Sequence, residues 1–209
     1  MENFVSAIKY VFNLEIDEET YKKITAEKFV SLKKALSNIN NIVTLKVTNY
    51  FISKLVDGNV VDDEQADVMK EEINKISANA NGYDIRYETE KILAEVKCNI
   101  PVNGKTFGAK QEEGIFKDID GLLNGKPTGK VKNINEYYKF MVFLNASGVP
   151  DSVNKTLEKK YKKKDEKKYD YYTNEKGDIL IEYYTNEKGD ILIEKEKLSK
   201  NVVYIVFIS

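Results

Sequence analysis

The run Ile92-Leu93-Ala94-Glu95-Val96-Lys97-Cys98 is apolar except at Glu95 and Lys97. Successive side chains of a strand alternate faces, so Glu95 and Lys97 share one face while Ala94, Val96 and Cys98 share the other. Charges in such a setting are costly unless they are paired, hold a metal or do chemistry. Upstream, Tyr83-Asp84-Ile85-Arg86-Tyr87 also alternates and reads as a strand. A hairpin whose loop is centred between Thr89 and Glu90 sets Asp84 directly opposite Glu95, with Cβ atoms ~5 Å apart. That suits two carboxylates sharing one divalent cation and is repulsive without it. Glu88-Thr89-Glu90-Lys91 lacks the glycine signal of a tight turn, so the register is an assumption.

An acidic residue two before a lysine recurs at Glu158 and Lys160, Asp165 and Lys167, and Glu166 and Lys168. Those three lie in a polar, lysine-rich stretch. Only Glu95-Val96-Lys97 has an apolar middle residue and apolar flanks. The competing reading is an edge strand with a solvated charged face.

The chain has no histidine, which removes the usual general base, Ser-His-Asp and Cys-His triads and nearly every zinc site. Catalysis would rest on carboxylates, lysine, tyrosine or a metal. A lone cysteine, Cys98, excludes an intramolecular disulfide and any CxxC motif. With 33 basic and 34 acidic residues the chain is not a wholly basic nucleic-acid binder, so such a surface must come from local clustering. No apolar run approaches the ~18 residues of a membrane-spanning helix, and the acidic start lacks a signal peptide's basic region. The expectation is a cytoplasmic protein without a membrane partner.

Phe4, Ile8, Val11 and Phe12 share a helical stripe over residues 3–14. A second helix starts near Thr25, which can cap it, and carries Phe29, Leu32, Leu36 and Ile39. The β-branched run Ile42–Thr48 suits a strand, but Leu45, Tyr50, Phe51, Ile52 and Leu55 favour a buried helix. Asp62-Asp63-Glu64 places negative charge at the start of a further helix, where the dipole favours it. Ala66, Met69, Ile73 and Ile76 mark its inner face. Glu72 follows Met69 by one turn and projects beside that stripe, while Glu71 is turned about 100° away.

Asn103-Gly104-Lys105 marks a turn, and a helix near 109–123 has Ile115, Ile119 and Leu122 inside. Gln111 lies one turn before Ile115, and Lys105 and Lys110 lie near the same end, where they could meet a phosphate. Residues 124–129 stop that helix in a surface loop. Tyr138–Leu144 is almost continuously apolar, as for a strand covered on both faces, and 202–208 supplies a final strand.

The strand setting, the spacing of Asp84 from Glu95-Val96-Lys97 and the order helix, strand, strand, helix, strand over about 60–145 resemble the PD-(D/E)xK nucleases. The resemblance implies an α/β (α+β) fold: a restriction-endonuclease-like core with a central mixed β-sheet flanked by helices. Around it stand an N-terminal helical element and a C-terminal hairpin region. The corresponding division is 1–60, 61–150 and 151–209, the last packed on the core. By resemblance, Asp84 and Glu95 ligate Mg2+, for which Mn2+ can substitute, joined by the Val96 carbonyl. Lys97 orients or helps deprotonate the attacking water, Glu72 helps hold metal or water, and Gln111 approaches the site. Gly82-Tyr83-Asp84 departs from the family's usual Pro-Asp. Asp118 and Asp120, on the later helix, are not expected to substitute for Asp84. The implied protein is a type II restriction endonuclease, a homodimer cutting both strands of double-stranded DNA at a short symmetric site.

Two further features lie between the last strands. Residues 155–168 hold Lys162, Lys163 and Lys164 beside Tyr161 and Tyr169, a mixture that can contact a nucleic-acid backbone and stack on bases. The commoner meaning of such a run is a solvated helix end. The segment from Tyr171 to Glu182 is then repeated without change from Tyr183 to Glu194. Either copy could pair with the same neighbour, so the duplication is expected to be dispensable for catalysis. Two other functions stay open: a non-enzymatic nucleic-acid-binding or partner-binding protein with Glu95 and Lys97 as a structural ion pair, and an interaction protein that pairs through the duplicated strands.

Overall fold

The computed structural model describes residues 5–6, 9–10, 13, 17–75, 82–127, 129, 131–158, 181–183 and 193–209. The chain forms two compact units, Met1–Ile42 and Val43–Ser209. Most of the helix expected over 3–14, the Lys162–Lys164 run and nearly all of the duplicated segment lie outside the described residues.

In the first unit, helix α1 (Glu18–Lys22) is capped by Asp17, whose carboxylate accepts the Thr20 N–H at 2.6 Å. Helix α2 (Ala26–Asp57) begins as expected after Thr25, whose hydroxyl oxygen accepts the Lys28 N–H at 3.4 Å. Its residues from Val43 onward belong to the second unit. The β-branched stretch is helical because Val47, Phe51, Ile52 and Leu55 recur at helical spacing and are all buried, which outweighs local strand preference. Residues 43–60, read from sequence with the N-terminal element, thus supply part of the second unit's core.

The second unit continues with α3 (Asp63–Lys75), β1 (Ile85–Tyr87), β2 (Ile92–Lys97), α4 (Ala109–Asn124), β3 (Tyr138–Leu144), α5 (Val149–Leu157), β4 (Ile181–Tyr183) and β5 (Val203–Ile208). Asp62 and Gln65 cap α3 reciprocally: each side chain accepts the other's backbone N–H, at 2.8 and 2.9 Å. The strands form one mixed sheet in the order β1-β2-β3-β5-β4. β1 is antiparallel to β2, and every other neighbouring pair is parallel. The fold is therefore mixed α/β, a sheet flanked by helices.

Strand alternation divides the core into two layers. On one face Ile92, Ala94 and Val96 of β2, Phe140 and Val142 of β3 and Tyr204, Val206 and Ile208 of β5 pack with Phe51, Ile52 and Leu55 of α2 and Met69 of α3. On the other, Leu93, Met141, Phe143, Val203, Ile205 and Phe207 meet Ile115, Ile119 and Leu122 of α4 and Val149, Val153 and Leu157 of α5. β3 and β5 are buried on both faces, which explains their continuous apolar sequence. β5 lies inside the sheet between β3 and β4.

The β1–β2 turn closes without glycine at its tip. Lys91 adopts φ 54°, in the left-handed region, and its ammonium lies 3.4 Å from the Glu88 carboxylate. Glu88 also accepts from Arg86 Nε at 2.6 Å and from the Tyr137 hydroxyl. Side-chain pairing, invisible to a search for Asn-Gly, holds this turn.

Candidate active site

The ladder pairs Ile85 with Ala94 and Tyr87 with Ile92. Continued by one residue, this register sets Asp84 opposite Glu95, the pairing expected from sequence. Asp84 itself lies just before the strand. Its carboxylate accepts the Val96 N–H at 2.7 Å, so the side chain serves as an acceptor at the edge of the ladder. Val96 therefore meets Asp84 through its N–H, where the resemblance had singled out its carbonyl.

Glu95 is buried, 4% exposed, and faces the α4 side of the sheet. Lys97 shares that face. Neither pairs with the other: Lys97 Nζ pairs with the Asp118 carboxylate, and Lys126 Nζ lies 2.6 Å from Glu95 Oε1 and 2.7 Å from Asp118 Oδ1. The Glu95–Lys97 ion pair of the non-enzymatic reading is thus replaced by a chain from Glu95 through Lys126 and Asp118 to Lys97.

Asp118 and Lys126 are members of the cluster outside the motif strands. Asp118 stands on the later helix, α4. It is buried, 8% exposed, since α4 packs Ile115, Ile119 and Leu122 against the same sheet face. Asp118 follows Ile115 by three residues and precedes Leu122 by four, so the helical-spacing argument applied to Glu72 would have found it. Lys126 falls in the 124–129 loop, and no pattern in the sequence marks it.

A built seat holds Lys126. Its backbone N–H donates to the Tyr83 hydroxyl at 3.0 Å, and that hydroxyl donates to the Gly121 carbonyl at 2.9 Å. The ammonium stands 5.3 Å from the centre of the Tyr83 ring, a cation–π distance. The stem crosses α4 at Gly121, where a Cβ would fall 2.6 Å from Lys126 Cγ and 2.7 Å from Cε. A glycine inside a helix costs about 1 kcal/mol relative to alanine, and here it clears the path of the lysine.

Burial and the negative charges of Asp84 and Asp118 push the Glu95 carboxyl up to about 8, against the opposing pull of Lys126. Lys126 is also shifted upward, which for an amine favours the charged form; burial alone would lower it, but Asp118 and Glu95 prevail. The two shifts look contradictory for one ion pair. They agree once the ammonium is seen to be divided between two carboxylates, so that it remains charged while Glu95 is under-compensated. Three carboxylates, Asp84, Glu95 and Asp118, face two ammonium groups, Lys97 and Lys126.

The remaining candidates stand elsewhere. Glu72 is exposed on α3, correcting the expectation that it turns inward: Ala66 and Met69 are buried, and Glu72 lies off their line at the helix flank. Gln111 is spent on its own helix, its Oε1 accepting the Gly108 N–H at 3.0 Å as an N-terminal cap. Lys105 and Lys110 are exposed.

The donor set can be weighed against a divalent cation. Among the described residues no three of His, Cys, Asp and Glu are grouped so as to hold a metal. Mg2+, however, commonly binds through only one or two carboxylates and keeps several waters. Asp84 and Glu95 meet that lesser requirement, and the surplus negative charge around Glu95 is the field a cation would relieve. Among the described residues no helix is long and apolar enough to cross a membrane. Comparison with protein-family models, curated proteins and solved structures returned no match.

Proposed function

We propose that the chain is a Mg2+-dependent endonuclease hydrolysing DNA phosphodiester bonds. The observation that carries this reading is the juxtaposition at the β1–β2 hairpin: Asp84 opposite a buried Glu95, with Lys97 two residues on along the same face. The order α3, β1, β2, α4, β3, with β3 parallel to β2, supports it as the element order of the family that the motif resembles.

In this reading Asp84 and Glu95 hold the cation, which when bound polarises the phosphodiester and offsets charge in the transition state. Lys97, held by Asp118, orients the attacking water and offers its ammonium to the phosphate. Apolar packing behind β2 fixes the strand, so Glu95 and Lys97 keep their spacing without reorganisation. The finer reading, a type II restriction enzyme acting as a homodimer on a short symmetric site of double-stranded DNA, rests on family analogy alone.

One observation favours a second reading. Lys97, Asp118, Lys126 and Glu95 form a connected ion network, which a binding protein could use simply to fix its core. Supercoiled plasmid incubated with the protein in Mg2+ or in EDTA separates the two. Nicked or linear product that appears only with Mg2+ supports the nuclease; metal-independent binding without cleavage, across varied DNA and salt, supports the structural network.

A further inference from the structure

Lys126 is the one member of the cluster that neither the hairpin motif nor the proposed chemistry uses, and it is also the most elaborately seated. Five separate contacts converge on it: the Tyr83 hydroxyl on its N–H, the Tyr83 ring beneath its ammonium, the bare helix backbone at Gly121 along its stem, and the carboxylates of Glu95 and Asp118 at its tip. A surface lysine that drifts onto an acidic patch has no need of a glycine cleared from a helix.

Charge explains the seat. With all three carboxylates ionised, as a bound cation would require, the two lysines leave one negative charge uncompensated, and removal of Lys126 would leave two. An exchange of the Lys126 ammonium for a divalent cation would leave Asp84, Glu95, Asp118 and Lys97 with the cation at balance. Lys126 stands in the loop just beyond the end of α4 and is not part of β2.

We propose that Lys126 is an internal counter-ion of this site, held between Glu95 and Asp118 while no metal is bound and yielding its place to a divalent cation. The inference rests on the nuclease reading for the identity of the site, and adds that cation entry is opposed by a residue of the chain itself. It makes Lys126 a positioning residue with a cost: it keeps the carboxylates together in the metal-free protein and weakens metal affinity.

The test measures Mn2+ binding to the full chain by titration calorimetry, with the free-ion electron paramagnetic resonance signal as a second readout. Wild type, Lys126→Met, Lys126→Arg, Gly121→Ala and Glu95→Gln are compared, each checked for folding by circular dichroism. Removing a charge a few ångströms from the cation should tighten Mn2+ binding about tenfold or more in Lys126→Met. Gly121→Ala, which pushes the Lys126 stem aside while keeping every charge and improving helix propensity, should tighten it as well and remains informative if Lys126→Met fails to fold. Lys126→Arg should stay near wild type, and Glu95→Gln should lose binding. Unchanged or weaker binding in folded Lys126→Met and Gly121→Ala, with Glu95→Gln still losing it, overturns the counter-ion role and leaves the nuclease reading standing. Absence of Mn2+ binding in every variant, wild type included, overturns both.

Discussion

The ammonium of Lys97 is paired with the carboxylate of Asp118, which joins strand β2 to the following helix α4. A lysine facing phosphate has many rotamers, and this pairing selects among them. Asp118→Asn should therefore lower DNA cleavage about 10- to 100-fold, the usual effect of removing a residue that orients a ligand or catalytic group. Single-turnover cleavage by the folded wild type and Asp118→Asn measures it. An unchanged rate would mean that Asp118 serves only the fold.

Phe140 is fully buried on β3, its ring centre 5.2 Å from that of Phe51 on α2 and 5.9 Å from that of Tyr204 on β5. Phe140→Ala removes the side chain that ties helix to sheet on this face. It should cost about 3–5 kcal/mol in urea unfolding, as for other large-to-small core changes. A loss below about 1 kcal/mol would contradict the packing described.

Lys139 is buried on β3 with its ammonium donating to the Lys200 carbonyl, and desolvation lowers its pKa from 10.5 to about 8. The sign follows from proton counting. Between about 8 and 10.5 the unfolded chain holds this proton while the folded chain has released it, so stability contributed by Lys139 rises with pH across that window. Below the window the burial penalty applies in full. Lys139→Met should accordingly be more stable than wild type near pH 7, with the difference shrinking by pH 10. Thermal melts of both proteins at several pH values test it; a constant difference would contradict it.

Among the described residues the duplication meets the second unit at two places, β4 beside β5 and Ile193. Ile193, in the second copy, is fully buried, and its counterpart in the first copy is Ile181, which opens β4. Gly58 accommodates the second copy closely: a Cβ there would fall 1.3 Å from the Ile193 carbonyl oxygen. Deleting 183–194 joins Glu182 to Lys195 and so presents the same Ile-Glu-Lys sequence to Gly58. The shortened chain should fold, with Ile181 in the place of Ile193, and keep its activity. Gly58→Ala, by contrast, should destabilise both lengths by about 1–3 kcal/mol through overpacking. A deletion that fails to fold would show that the two copies have separate duties.

How far the sequence could be read depended on where the information lay. Tyr138–Leu144 and the final strand announced themselves because a strand buried on both faces must be apolar throughout. The Asp84–Glu95 register follows from a hairpin centre that has to be assumed, because Lys91 and Glu88 close the turn by means no turn motif predicts. Ile42–Thr48 was ambiguous locally, and only the burial of Phe51, Ile52 and Leu55 decides for helix. Asp118 is legible from its spacing, three residues after Ile115 and four before Leu122, although it lies outside the motif strands. Lys126 was not legible: its place depends on a loop conformation, on the Tyr83 ring and on the missing Cβ of Gly121, three facts separated in sequence and joined only in space.

The central claim is that Asp84, Glu95 and Lys97 constitute a metal-dependent phosphodiesterase site. Its most direct measurement is cleavage of a mixed set of supercoiled plasmids in Mg2+ by the wild type, Glu95→Ala and Lys97→Ala at matched concentration, with circular dichroism confirming that each is folded. The account predicts cleavage by the wild type alone, with each variant reduced by at least about 100-fold. Activity that survives in both folded variants would contradict it.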